Sequence, residues 1–370
     1  MERTRRSPTF FVTAEKQHAI LSSFQRREDN LSETYRKNRP LCFHARSAQK
    51  THPIKAREGH RDADVTLESP MILGVADGVS QVEDFGIDAS ELPRELLSFC
   101  EDIAMSQLIP GSKVAADEAY QGPIFLLKEA FEATEALGST TVALAILDNS
   151  TKIHGNLHPM IAVITVGDCE LLILRRTHGP FGRLQPVFRT EMQRIDGHVQ
   201  TPLQLARVDD RVDPDFDEEL ALEVIERGSA VHCVSAYEGD IIVLGSDGVF
   251  DNLFLDEIAD LCNRVLRPGG GTLPTHHSLL GYLAKSIVKA CHAKSQCGPD
   301  GVLPAAPIGR GGKIDDTSVV VAEVVEWTKA HSEAWLPRRN IFPASWNLNS
   351  CNRCCVAGEG EEVEFLDGNT

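Results

Sequence analysis

Between Thr140 and Leu174 three apolar runs follow one another with only turn residues between them. The run 140–147 stops at Asp148-Asn149-Ser150, the run 161–166 stops at Gly167-Asp168, and the run 170–174 resumes at once. Runs this short, bounded by turn formers, fit strands rather than helices. Strands that succeed one another directly cannot be parallel neighbours, because a parallel pair needs a crossover of about a dozen residues or more. The expected class is therefore α+β with antiparallel sheets, not a doubly wound parallel sheet. Segments 161–166 and 170–174 are expected to pair as a tight hairpin. Further strands are expected at 71–76, 240–244 and 316–325, and helices at 90–106, 122–137, 255–266 and 278–294. The last of these puts Leu279, Leu280, Leu283, Ile287, Val288 and Cys291 near one face.

The apolar runs share a second feature. Asp77, Asp168 and Asp247 each stand where a run stops, Asp77 and Asp247 are followed by glycine, and Asp315-Asp316 stand where the last run begins. A strand end holds a carboxylate rigidly while leaving its oxygens at an accessible rim, and the glycine lets the chain turn sharply. Hard divalent cations such as Mg2+ and Mn2+ take such oxygen ligands. Any single Asp-Gly also reads as an ordinary turn. Several of them, all adjoining strand-like runs, favour a cation site.

The charge balance excludes a general nucleic-acid binder. The chain has 54 acidic against 37 basic side chains, a net charge of −17, where phosphate recognition needs a basic footprint. The imbalance is uneven: residues 1–57 carry 13 Lys/Arg and 5 Asp/Glu, so a basic arm precedes an acidic body. No run approaches the roughly 20 apolar residues of a membrane-spanning helix. Ten cysteines in 370 residues are too sparse for a disulfide scaffold. Cys100, Cys233, Cys262 and Cys291 lie on apolar runs and are expected in the core, while Cys169 is expected to be more accessible. The expected organisation is an arm over 1–50, a body over 51–328 and an extension over 329–370 with an acidic tail.

The motifs of the body resemble, in order, those of the metal-dependent protein phosphatase family, type 2C. The resemblance rests on Leu73-Gly-Val-Ala-Asp77-Gly78-Val79, Gly138-Ser-Thr-Thr141, Val166-Gly-Asp168-Cys169, Leu244-Gly-Ser-Asp247-Gly248-Val-Phe-Asp251-Asn252 and Lys313-Ile-Asp315-Asp316-Thr-Ser-Val319. It covers residues 52–327. Val79 after Asp-Gly, Phe85-Gly-Ile-Asp88, Thr201-Pro-Leu-Gln-Leu205, Arg310-Gly-Gly-Lys313 and His52-Pro53 with Lys55 are similar to the branch that includes mitochondrial matrix phosphatases. The resemblance implies a four-layer α-β-β-α sandwich, two antiparallel sheets flanked by helices. It implies a serine/threonine phosphatase with two or three Mg2+ or Mn2+ ions, in which a metal-activated water attacks phosphorus in line. Asp77, Asp247 and Asp315 would be the catalytic metal ligands, with the Gly78 carbonyl and Asp62 at the same centre. Asp168 and Asp251 match positions linked to a third ion. Arg57 would bind the phosphate, with Lys55 as the alternative. The implied partner is a phosphoprotein, and the chain is expected to act as a monomer.

One departure stands out. Where the family shows Glu-Asp, this chain has Arg61-Asp62, which places a positive charge at the position of a metal-site acid. Three outcomes are open: Asp77, Asp247 and Asp315 suffice, Glu58 or Asp64 substitutes, or the chain is an inactive pseudophosphatase that binds phosphoproteins. Val79 also removes the His that other members use as a general acid. The segment Gly309-Arg-Gly-Gly-Lys313 fails as a phosphate loop, since Pro307 and Ile314 occupy positions that need Gly and Ser/Thr. Cys351, Cys354 and Cys355 form at best half of a zinc site, with His331 a weak partner. The arm, with Arg3, Arg5 and Arg6, resembles a transit peptide, but Glu15, Glu28, Asp29 and Glu33 argue against one. Mitochondrial and cytosolic or nuclear placement both stay open.

Overall fold

The structure is a computed structural model that describes residues 39–339 except 113, 115–118, 178–181, 197–198 and 267–274. The expectations for residues 1–38 and for Cys351, Cys354, Cys355 and the acidic tail fall outside the described residues. The strands of the two main sheets are β1 (Leu41–Lys50), β2 (Val65–Glu68), β3 (Ile72–Gly78), β4 (Gly138–Asp148), β5 (Met160–Val166), β6 (Glu170–Arg176), β7 (Leu184–Arg189), β8 (Leu205–Arg207), β9 (Ala230–Ser235), β10 (Ile241–Gly245) and β11 (Thr317–Glu326). The principal helices are α1 (Pro53–Glu58), α2 (Glu91–Leu108), α3 (Pro123–Ala133), α4 (Leu255–Val265), α5 (His277–Ala293) and α6 (Lys329–Arg339).

One sheet has the order β1-β11-β10-β6-β7 and the other β9-β5-β4-β3-β2, with β8 pairing to β4. Every pairing within them is antiparallel. Side-chain alternation decides how the layers stack. Leu73, Val75, Ala143, Ala145, Val163, Ile173, Leu244 and Val320 meet between the sheets. Their neighbours Ile72, Val142, Leu144 and Ile164 face outward and pack under Leu96, Leu97 and Cys100 of α2 and Leu127 and Phe131 of α3. On the other side Leu172, Val243, Val319 and Val321 pack under Ile258 and Cys262 of α4 and Leu283 and Ile287 of α5. Both faces of the central strands are therefore apolar, and so they read as continuous runs rather than alternating ones. Each such Leu or Ile contributes about 1.5–3 kcal/mol by leaving water. The result is the expected α-β-β-α sandwich.

Several expectations need correction. Segments 161–166 and 170–174 do not form a hairpin: β5 lies in one sheet and β6 in the other, so Gly167-Asp168-Cys169 crosses between layers. The basic composition of 1–50 hides β1, which pairs with β11 along its whole length, from Leu41 opposite Glu326 to Lys50 opposite Thr317. Cys233 is exposed, because β9 is an edge strand. Cys169 is buried instead, with its thiol 3.2 Å from Thr141 Oγ1. The extension begins as α6, which packs Trp335 and Leu336 against the core. Among the described residues no helix is long and apolar enough to cross a membrane.

Candidate metal centre

The antiparallel registers bring the strand-end carboxylates to one rim. Val65 pairs with Ala76, and the Gly78 N–H donates to the Ala63 carbonyl at 3.3 Å, which sets Asp64 opposite Asp77. In the other sheet β10 stops at Gly245. The Ser246 N–H donates to the Ser318 carbonyl at 3.0 Å and its Oγ accepts from the Ser318 N–H at 3.1 Å, tying Asp247 to the start of β11. Asp315-Asp316 immediately precede β11. Glycine is required at two of these turns. A Cβ on Gly78 would overlap the carbonyl oxygens of Ala89 and Ala63, and one on Gly248 would overlap that of Asp316.

Two lysines enter this rim. His52 caps α1 by accepting the Ile54 N–H at 3.2 Å, Pro53 starts the helix, and Gly59 ends it in the left-handed region. Lys55 is thereby aimed inward, 2.8 Å from Asp315 and 2.9 Å from Asp316. The Lys313 ammonium pairs with Asp247 and lies 2.7 Å from Asp315. Asn252 fixes that stretch of chain, accepting the Lys313 N–H at 2.7 Å and donating to its carbonyl at 3.1 Å.

Burial dominates the electrostatics. It raises the Asp77 carboxyl well above its ordinary value, and the charges of Asp64, Asp247 and Asp315 add to the effect. Burial and then Asp62 push Asp64 up to about 8. Burial pushes Asp247 to about 7 although Lys313 opposes it. At Asp315 burial also acts upward, but Lys313 and Lys55 outweigh it and its carboxyl lies below the usual range. Both lysines are held above theirs: burial acts downward, and the paired aspartates overcome it.

Asp168 and Asp251 form a separate outer pair. Arg194 spans them, with Nε 3.2 Å from Asp168 and Nη2 2.8 Å from Asp251. Burial raises the Asp168 carboxyl, with Arg194 and Lys313 opposing.

Among the described residues no three His, Cys, Asp or Glu side chains are arranged to hold a metal ion as they stand. At the inner rim the Lys313 ammonium lies between Asp247 and Asp315, in the manner of a built-in counter-ion. The donor set nevertheless suits a hard cation. Both oxygens of Asp64, Oδ1 of Asp247 and Oδ1 of Asp316 are buried without a hydrogen-bond partner. Five carboxyl groups face two ammonium groups there, and divalent cations would favour their ionised forms.

The remaining candidates divide. Asp62 borders the rim, its Oδ1 accepting the Asp64 N–H at 3.2 Å, and burial and then Asp316 raise its carboxyl. Arg57 lies on the exposed face of α1, its Nε donating to the Pro53 carbonyl. Glu58 is exposed beside His60. Arg61 is exposed and lends its charge to Asp88, away from the carboxylates. The role of Arg194 as bridge had no sequence signal, because Asp168 and Asp251 lie far away in the chain, and the pairing of Lys313 with Asp247 is equally non-local.

No family model matches the chain. A curated relative, "Probable protein phosphatase 2C 26" of Arabidopsis thaliana, is 29% identical over 286 residues, covering 74% of this chain and 81% of its own length. "Protein phosphatase PTC7 homolog" of Xenopus laevis is 27% identical over 281 residues, covering 73% and 80%. The chain is similar to protein phosphatases of type 2C. Some members it matches are longer, and it spans about half of them, 52% and 50% in two cases. The fold is shared with the photosystem II phosphatase PBCP, whose X-ray structure superposes with a TM-score of 0.54 at 24% identity, over 76% of this chain and 98% of the other. Against the pattern that the resemblance implies, this chain leaves Arg61 exposed and buries Asp64.

Proposed function

We propose that this chain hydrolyses phosphoserine and phosphothreonine monoesters of proteins, with Mg2+ or Mn2+ held at the inner carboxylate rim. The observation that carries this reading is the convergence of buried Asp64 and Asp247 with half-buried Asp77 and Asp315, with orphaned oxygens on the buried two. Asp77, Asp247, Asp315 and the Gly78 carbonyl would hold two ions, and Asp64 would supply the acid that Arg61 lacks. Divalent cations held there would offset phosphoryl charge and make a water acidic enough to attack near neutral pH.

The chain's own groups divide the remaining work. Asp77 and Asp247 end rigid strands, so little reorganisation is left for the reaction itself. Lys55, anchored by Asp315 and Asp316, presents a cation to phosphate oxygens at the same rim, and Arg57 offers a second one on the outer face of α1. Cys169, next to Asp168, does not compete as nucleophile, because burial and then Asp77 hold its thiol well above its ordinary pKa. Val79 places no imidazole beside Gly78, so the leaving oxygen takes its proton from water or from another group at the rim. The outward turn of Arg61 favours catalysis over phosphoprotein binding alone.

Phosphate release from a phosphothreonine peptide in Mn2+ tests the proposal. Asp247→Asn is expected to lower kcat by about 100-fold or more. Equal, slow release by both proteins would leave only the binding role.

A further inference from the structure

The outer carboxylates Asp168 and Asp251 match positions that the family resemblance links to a third ion, yet here they already share a cation. The Arg194 guanidinium reaches Asp168 through Nε at 3.2 Å and Asp251 through Nη2 at 2.8 Å. Both carboxylates are at least 95% buried and the arginine side chain is 21% exposed. A guanidinium stays charged throughout the working pH range, so it cannot vacate the pair by losing its proton.

The arginine is held in place by its neighbour. The Gln193 N–H donates to the Gly167 carbonyl at 2.8 Å, and its side-chain Oε1 accepts the Gly167 N–H at 3.0 Å. The same amide donates to the Gly228 carbonyl at 2.6 Å. Residue 193 is thus clasped to the turn that carries Asp168, and residue 194 must lie beside it. Asp168 sits in the crossing from β5 to β6, whereas Asp251 follows β10. One guanidinium therefore joins the turns of both sheets, the link a bridging ion would otherwise make.

We propose that Arg194 permanently replaces the third divalent cation, so that this chain has a metal centre without an outer ion. The proposal rests on the phosphatase reading for the inner site, but its own prediction is a difference in ion count. Removing the guanidinium leaves two buried carboxylates facing each other, a pair that a hard cation would then take. A short neutral side chain at 194 should create a weak Mn2+ site where the native chain has none.

Equilibrium dialysis of the full chain against up to millimolar Mn2+, with metal analysis, reads this directly. Arg194→Met is expected to bind one more ion than the wild type, and Arg194→Lys to match the wild type. Adding Asp168→Asn to Arg194→Met should remove the extra ion. In the native background Asp168→Asn alone should leave the count unchanged, a test that holds even if Arg194→Met folds poorly. The proposal is overturned if Arg194→Met gains no ion or if Asp168→Asn alone loses one. The wild-type count reports separately on the inner site: two ions support the phosphatase reading, and none would sink it whatever the difference shows. A second readout is rescue. The phosphatase activity of Arg194→Met should need millimolar Mn2+ for full recovery, whereas wild type saturates at least tenfold lower.

Discussion

Asp64 stands opposite Asp77 across the β2–β3 pair, buried, with neither carboxylate oxygen hydrogen-bonded. Two carboxylates so placed repel, and Asp64 has lost its water, an arrangement that a fold retains at a cost unless a cation offsets it. Asp64→Asn is therefore expected to weaken Mn2+ binding by about 10–100-fold, the usual effect of losing a supporting ligand. The metal-free protein should melt no lower than wild type, since a neutral amide relieves the repulsion. Calorimetric titration and melting in EDTA check both. Unchanged Mn2+ affinity would remove Asp64 from the centre.

Arg61 occupies the sequence position of the family's acid without occupying its place in space. Its side chain is exposed and its charge contributes to lowering the Asp88 carboxyl. Exposed charges are screened and are worth at most about 1 kcal/mol. Arg61→Glu is accordingly expected to change Mn2+ affinity by less than about fivefold. A large gain would mean that the glutamate reaches the metal and that Asp64 does not serve in its stead.

The raised carboxyls of Asp64 and Asp247, at about 8 and about 7, make a pH signature. In the unfolded chain they titrate near about 3.9, so the metal-free native state holds protons that the unfolded state has already released. Their contribution to stability is complete below that value and is lost as pH rises through about 7 to 8. Half-buried His44 and buried His292, lowered to about 4, act in the opposite sense, but only below about pH 6.5. In EDTA the melting temperature should thus fall between about pH 6.8 and pH 8.8. Mn2+ binds the deprotonated carboxylates, so its stabilising shift should grow over the same interval. Equal shifts at both pH values would contradict the titration of this pair.

Much of this centre could be read from the chain because strand ends leave local marks. Asp77 and Asp247 stop apolar runs and precede glycines whose missing Cβ the fold requires. What escaped was non-local. The crossing at Gly167-Asp168 looked like a hairpin, because an apolar run does not say which sheet will bury it. The strand Leu41–Lys50 was hidden by basic residues that fringe its exposed end. Arg194 carries no motif at all, and its meaning comes from Asp168 and Asp251, 26 and 57 positions away.

Gly248 gives a sharper test of how tightly the rim is built. A Cβ at this position would overlap the Asp316 carbonyl oxygen, a backbone atom that cannot move without shifting Asp315 and Asp316 together. Gly248→Ala should therefore cost about 1–3 kcal/mol of stability, the usual penalty for overpacking. It should also weaken Mn2+ binding, because the same displacement moves a ligand. Gly281 in α5 is the control: a Cβ there meets only Arg46 side-chain atoms, at 3.9 Å. Alanine favours a helix interior, so Gly281→Ala should stabilise the chain by about 0.4–1 kcal/mol and leave Mn2+ affinity untouched. Urea unfolding with parallel metal titration separates the two. If Gly248→Ala loses stability but binds Mn2+ as wild type does, the Asp315-Asp316 segment does not position the metal.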